Sequence, residues 1–96
     1  MGLKRGYARK VDANQSEIVD ALRRVGCHVL ELSAVGGGVP DLVVWKRDGL
    51  TAMLVEIKNP ATRGKLNPLQ QSWHGAWTGA KPLVIETVEQ AMEVFR

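Results

Sequence analysis

The sequence predicts an α/β fold, a mixed β-sheet flanked by helices, and three features predict it. Three strand-like segments follow one another between positions 27 and 58. An Asp48-Gly49 pair marks a tight hairpin between the second and third of them, and a helical segment beginning at Asn67-Pro68 separates the third from a short fourth strand. Hairpin neighbours run antiparallel, whereas a strand reached through a helical crossover joins parallel to its neighbour. The expected order is therefore α-β-β-β-α-β-α, with apolar helix faces packed on the sheet.

Each element has its own local reason. Asp12 or Asn14 caps the first helix, with Gln15 or Glu17 three residues later closing a capping box, and Ile18, Ala21, Leu22 and Val25 keep helical spacing until Gly26. Residues 27–34 alternate as a strand, and Gly36, Gly37 and Gly38 then supply backbone freedom that marks a close approach. Asp41 to Trp45 form the second strand and Thr51 to Lys58 return as the third. Counting outward from the turn pairs 47 with 50, which sets Asp41 opposite Glu56. Asn59-Pro60 ends that strand, and a polar loop with Arg63, Gly64 and Lys65 follows. Proline in the first turn suits the next helix, which carries Leu66, Gln70, Trp73, His74 and Trp77 on or near one side and closes at Gly79. Pro82 to Glu86 read as an apolar strand, and Thr87 with Gln90 makes a capping box ahead of Val88, Ala91, Met92 and Phe95.

Composition bounds the possibilities. A chain of 96 residues holds one domain, burying about 65% of its unfolded surface. We place that domain at residues 12–96, after a basic tail at 1–11. Hydrophobic residues make up 45% and charged residues 24%, which excludes disordered and fibrous classes. The single cysteine, Cys27, has no partner for an internal disulfide or a structural zinc site and is expected in the core. No apolar run is long enough for a membrane span or a signal core, so a cytoplasmic protein is expected. The net charge of +3 is modest, but Lys4, Arg5, Arg9 and Lys10 place four of thirteen basic residues in the first ten positions, where they can touch phosphates.

The hairpin organises the charges that carry chemistry. Residues two apart on a strand share a face, so Glu56 and Lys58 project together while Val55 and Ile57 face the apolar side. Asp41, facing Glu56, brings a second carboxylate to the mouth of the glycine-rich loop. Two carboxylates at one point repel unless a cation or proton is shared, and a hard divalent ion, Mg2+ or Mn2+, is the natural third party. The backbone carbonyl of Ile57 stands beside them as a further ligand. Lys58 is placed either to orient or deprotonate a water or to neutralise charge at phosphorus. Glu17 has a capping role and a metal role open to it, and Gln70 either supports the site or bonds a neighbouring backbone group. His74 reads as a partly exposed helix residue, and Trp73 and Trp77 as core anchors.

The set Pro40-Asp41, fourteen residues, then Glu56-Ile57-Lys58 resembles the PD-(D/E)xK nuclease superfamily. With Glu17 upstream, Gly36-Gly37-Gly38-Val39-Pro40-Asp41-Leu42, Val55-Glu56-Ile57-Lys58 and Leu66-Asn67-Pro68-Leu69-Gln70, the chain looks most like the VRR-NUC family over about residues 12–86. The resemblance implies a restriction-endonuclease-like sheet, Asp41 and Glu56 as metal ligands, Lys58 as the catalytic lysine, Glu17 as an additional acidic group and Gln70 as a supporting polar residue. It also implies a stand-alone form, as in phages and some bacteria, similar to Holliday-junction resolvases. On that reading the protein is a homodimer that cuts branched DNA with Mg2+ or Mn2+, and a two-fold dimer suits a two-fold substrate. Exposed apolar residues of the first strand or last helix are its candidate interface. Two other readings stand beside this one, a non-catalytic DNA-binding scaffold and a duplex-specific repair or restriction-type nuclease.

Overall fold

The computed structural model describes residues 14–96. Asp12 and the basic tail, with the phosphate contacts expected of it, lie outside the described residues. The elements are α1 (Gln15–Arg24), β1 (His28–Glu31), β2 (Leu42–Trp45), β3 (Ala52–Ile57), a single 3-10 turn (Pro60–Thr62), α2 (Pro68–Ala76), β4 (Leu83–Ile85) and α3 (Val88–Phe95). Their order is the expected one.

The sheet runs β1-β2-β3-β4, antiparallel between the first three strands and parallel between β3 and β4. Pairing of Leu42 with Val55 and Trp45 with Ala52 keeps the register counted from the turn, so Asp41 continues the ladder opposite Glu56. Asp48 fixes that turn by accepting the Leu50 and Thr51 N–H groups at 2.8 and 3.2 Å. Those two hydrogen bonds, the Leu50 one foremost, hold the Asp48 carboxyl below its ordinary range.

One face of the sheet makes the core. Ile18 and Leu22 of α1 meet Leu42, Val44, Val55, Ile57 and Ile85 of the strands and Ala91 and Phe95 of α3, and Cys27 is buried among them as expected. Burial pushes its thiol up, against the smaller opposing pull of Lys46 and Arg47. Burying a Leu or Phe side chain in such a cluster contributes roughly 1.5–3 kcal/mol before entropy is counted.

Several local expectations are corrected. The first strand covers only His28–Glu31: the Leu32 N–H still bonds the Asp41 carbonyl in the β1–β2 register, but the Leu32 carbonyl accepts from Val35 in a turn that leads the chain away. Asn14 precedes α1, but its side chain makes no cap. Its amide donates instead to the carbonyls of Lys58 (3.0 Å) and Glu86 (2.6 Å), tying the start of the helix to the ends of β3 and β4. The helix after Pro68 stops at Ala76 rather than Gly79. Trp77 is extended with its indole donating to the Ala80 carbonyl, and the Lys81 ammonium donates to the His74 and Trp77 carbonyls. Thr87 does cap α3 through the Gln90 N–H, while the Gln90 side chain accepts from Glu86, one residue before the box position. Trp73 and Trp77 are not core anchors: they stack on each other at 4.9 Å, outside the buried cluster, with Trp77 exposed.

Candidate active site

Opposite the core, Glu56 of β3 and Lys58, just past its end, share the second face of the sheet, and α2 covers them. The local reason is an Asn67-x-x-Gln70 capping box at the start of that helix. The Asn67 side chain accepts the Gln70 N–H and the Gln70 Oε1 accepts the Asn67 N–H, each at 2.9 Å. This fixes the Gln70 side chain against the sheet. Its Oε1 also accepts the Lys58 ammonium at 3.0 Å, and its Nε2 donates to Glu56 Oε2 at 2.8 Å. A flipped amide would face its NH2 to the ammonium and its oxygen to the carboxylate, so the two charges define its orientation.

Gln70, Glu56 and Lys58 are all buried, as is Asp41 at 6% exposure. Asp41 Oδ2 accepts the Ile57 N–H at 2.8 Å, which locks the carboxylate against the end of β3. On a strand the N–H and C=O of one residue leave by the same edge, so the Ile57 carbonyl is also on the Asp41 side. The glycine-rich loop sets the height of Asp41 against α2. Gly38 has φ +85°, and a Cβ there would collide with the Leu69 carbonyl and sit 3.0 Å from the Gln70 nitrogen.

The structure thus brings together Asp41, Glu56, Ile57, Lys58 and Gln70. Glu17 stands apart from this network: it is exposed on the first turn of α1, and among the described residues no hydrogen bond or ion pair joins it to the others. Sequence reasoning missed three contributors. Asn14 pins the Lys58 backbone, and Asn67 orients Gln70, which the N-x-x-Q spacing before an apolar helix could have revealed. His74 is the third, with its side chain 12% exposed and its Nε2 3.7 Å from Glu56 Oε1 rather than turned to solvent. Burial, aided by Lys81, holds the His74 imidazole below its ordinary range.

Among the described residues no three His, Cys, Asp or Glu side chains gather into a ready-made metal cluster. Two carboxylates and a peptide carbonyl nevertheless form an all-oxygen donor set. That set fits a magnesium-sized ion, which keeps several waters and takes only one or two carboxylates from the protein.

Two buried carboxylates and a buried lysine thus lie together at one end of a mixed α/β sheet. The VRR-NUC domain model matches residues 4–79, most of the chain. The protein belongs to the VRR-NUC family, and its class of activity is that of a DNA-processing nuclease. No curated protein and no solved structure matched the chain. β4 and α3 lie beyond the matched residues but complete the sheet and core around the site. No helix among the described residues is long and apolar enough to cross a membrane.

Proposed function

We propose that the protein is a divalent-cation-dependent endonuclease of the PD-(D/E)xK type that hydrolyses DNA phosphodiester bonds, with a preference for branched DNA such as four-way junctions. The observation that carries this reading is the single Gln70 amide that holds Glu56 and Lys58 together beside Asp41. Asp41, Glu56 and the Ile57 carbonyl would hold Mg2+ or Mn2+, and Glu17, exposed on the first turn of α1, would be an additional acidic group outside that set. When bound, the ion lowers the proton affinity of a coordinated water and polarises a phosphate oxygen.

The chain's own residues do the rest. Asp41 is held in place by the Ile57 N–H. Glu56 is oriented by Gln70, leaving its Oε1 edge toward His74. Lys58, a compact ammonium held at the same amide, stabilises charge that develops on the phosphoryl oxygens as water attacks. Water adds to phosphorus, the 3′ or 5′ oxygen departs, and the proton lost by the water leaves with solvent or the departing oxygen. Phosphate contacts and DNA shape, rather than base reading, select the substrate. A homodimer presenting two such centres suits the two strands of a junction.

The test is cleavage of a labelled four-way junction beside its linear duplex, in Mg2+, in Mn2+ and in chelator, with wild type and Lys58→Ala. Paired nicks in the junction, dependent on metal and lost in the variant, are expected. Equal cutting of the duplex would favour a duplex-specific nuclease, and binding without cutting in either metal would leave a DNA-binding scaffold.

A further inference from the structure

At the far end of the sheet from Asp41, the C-terminal ends of α1 and α3 converge on the β2–β3 hairpin. They enclose a cleft of about 350 Å³ lined by Arg24, Val25, Gly26, Arg47 and Arg96. Three arginines thus border one space with no acidic residue in its lining. Among the described residues no ion pair involves any of the three, whereas the adjacent Arg23 turns away to Glu31 at 3.7 Å.

Gly26 has φ +97°, and a Cβ there would lie 2.8 Å from Arg47 Cγ and 3.1 Å from its Cδ and Nε. Gly26 is the left-handed residue that closes α1, and the Arg47 side chain packs across it. Favourable interaction with helix C-termini accounts for Arg24, in the last turn of α1, and for Arg96, which follows α3. It does not account for Arg47, which comes from the hairpin. Arg96 also borders a neighbouring groove with Glu89 and Glu93, so Arg24 and Arg47 form the centre of the basic cleft and Arg96 its rim.

Like charges drawn into one space repel, and a shared anion relieves them. A planar, always-charged fork of donors suits a phosphate in particular. We propose that the cleft of Arg24, Arg47 and Arg96 is a second phosphate-binding site, which grips the DNA backbone away from the scissile bond. The proposal rests on the DNA-cleaving reading above. Arg47 lies six positions past Asp41, across β2 and into the hairpin, which at strand rise is about 20 Å, roughly the length of six base pairs. A strand bound at both places is held in register at the reaction centre.

The experiment is fluorescence anisotropy of a labelled 20-base-pair duplex in chelator, from 50 to 200 mM NaCl, with the full chain as wild type, R24Q/R47Q/R96Q and R23Q. Each phosphate contact contributes a slope of about −0.9 in log K against log salt. Loss of three is expected to make the slope shallower by roughly 2 to 3, so that wild type loses about 40-fold more affinity than the triple variant over that range. R23Q, whose arginine is already paired with Glu31, should move the slope by less than about half a unit. All four arginines are exposed, so thermal melts should show folded variants. A wild type that cuts DNA while the triple variant keeps its slope overturns the cleft and leaves the nuclease reading standing, and the same holds if the cleft takes only free phosphate. A slope that depends on these arginines in a protein that never cuts upholds the cleft and overturns the nuclease.

Discussion

The Gln70 Oε1 accepts the Lys58 ammonium at 3.0 Å while the same atom accepts the Asn67 N–H at 2.9 Å, so one oxygen both caps α2 and positions Lys58. Local helix stability and the placement of Glu56 and Lys58 are therefore coupled through a single side chain.

Replacing Gln70 tests that coupling. Gln70→Ala removes the bridge between Glu56 and Lys58, and outer partners of this kind typically change metal affinity or activity about 10–100-fold. Gln70→Glu keeps the shape and the cap but sets a carboxylate against Glu56. Cleavage should fall in both variants, and calorimetric Mn2+ titration should show altered affinity in both. Wild-type cleavage by Gln70→Ala would show that the bridge has no part in the reaction.

Gly38→Ala should damage the site as well as the fold. Its left-handed backbone and its contact with the Leu69 carbonyl leave no room for a methyl group. The backbone penalty alone is about 1–2 kcal/mol. A lower thermal midpoint with further loss of cleavage below the melting range is expected. Gly37→Ala, where no atom lies within 4 Å of an added Cβ but φ is +69°, should lose stability to backbone strain alone and keep its cleavage rate.

Asn14→Ala removes two hydrogen bonds that join α1 to the carbonyls of Lys58 and Glu86. Two partly buried acceptors lose their partner, at about 1–3 kcal/mol in total if water replaces part of the loss. Urea unfolding should show the lower stability, and amide exchange should rise first at the end of β3. Asn14→Asp, which cannot donate to these carbonyls, should be as unstable as the alanine variant.

Asp48 gives a pH dependence whose sign is defined. Its folded carboxyl is held below the ordinary value of 3.8 by the Leu50 and Thr51 N–H groups. The stabilisation is present above the unfolded value and is lost as pH falls below about 3.8 and through the folded one. The difference in urea midpoint between wild type and Asp48→Ala should shrink from pH 6 to pH 2.5. A constant difference would mean that the charge of the carboxylate does not matter to the turn.

Much of this molecule was legible in the linear chain because it rests on short-range rules. Strand period placed Glu56 and Lys58 on one face, the Asp48-Gly49 turn set the register that carries Asp41 opposite Glu56, and helical spacing named Ile18 and Leu22 for the core. What escaped were choices made by polar groups with several partners of similar strength. Asn14 had the identity of an N-cap, yet two carbonyls from distant strands took its amide. His74 and Trp77 lie three residues apart on or beside one helix end, and only packing against the sheet sent the first toward Glu56 and left the second exposed.

The sequence by itself determined the element order, the hairpin register and the pair of carboxylates with their lysine, because period and turn chemistry act within a few residues. Only the tertiary structure decided that Gln70 joins Glu56 to Lys58, that Gly38 sits against α2 and that three arginines share a cleft. Those contacts link residues far apart in the chain, and which of them form depends on the packing of α1, α2 and α3 against one sheet.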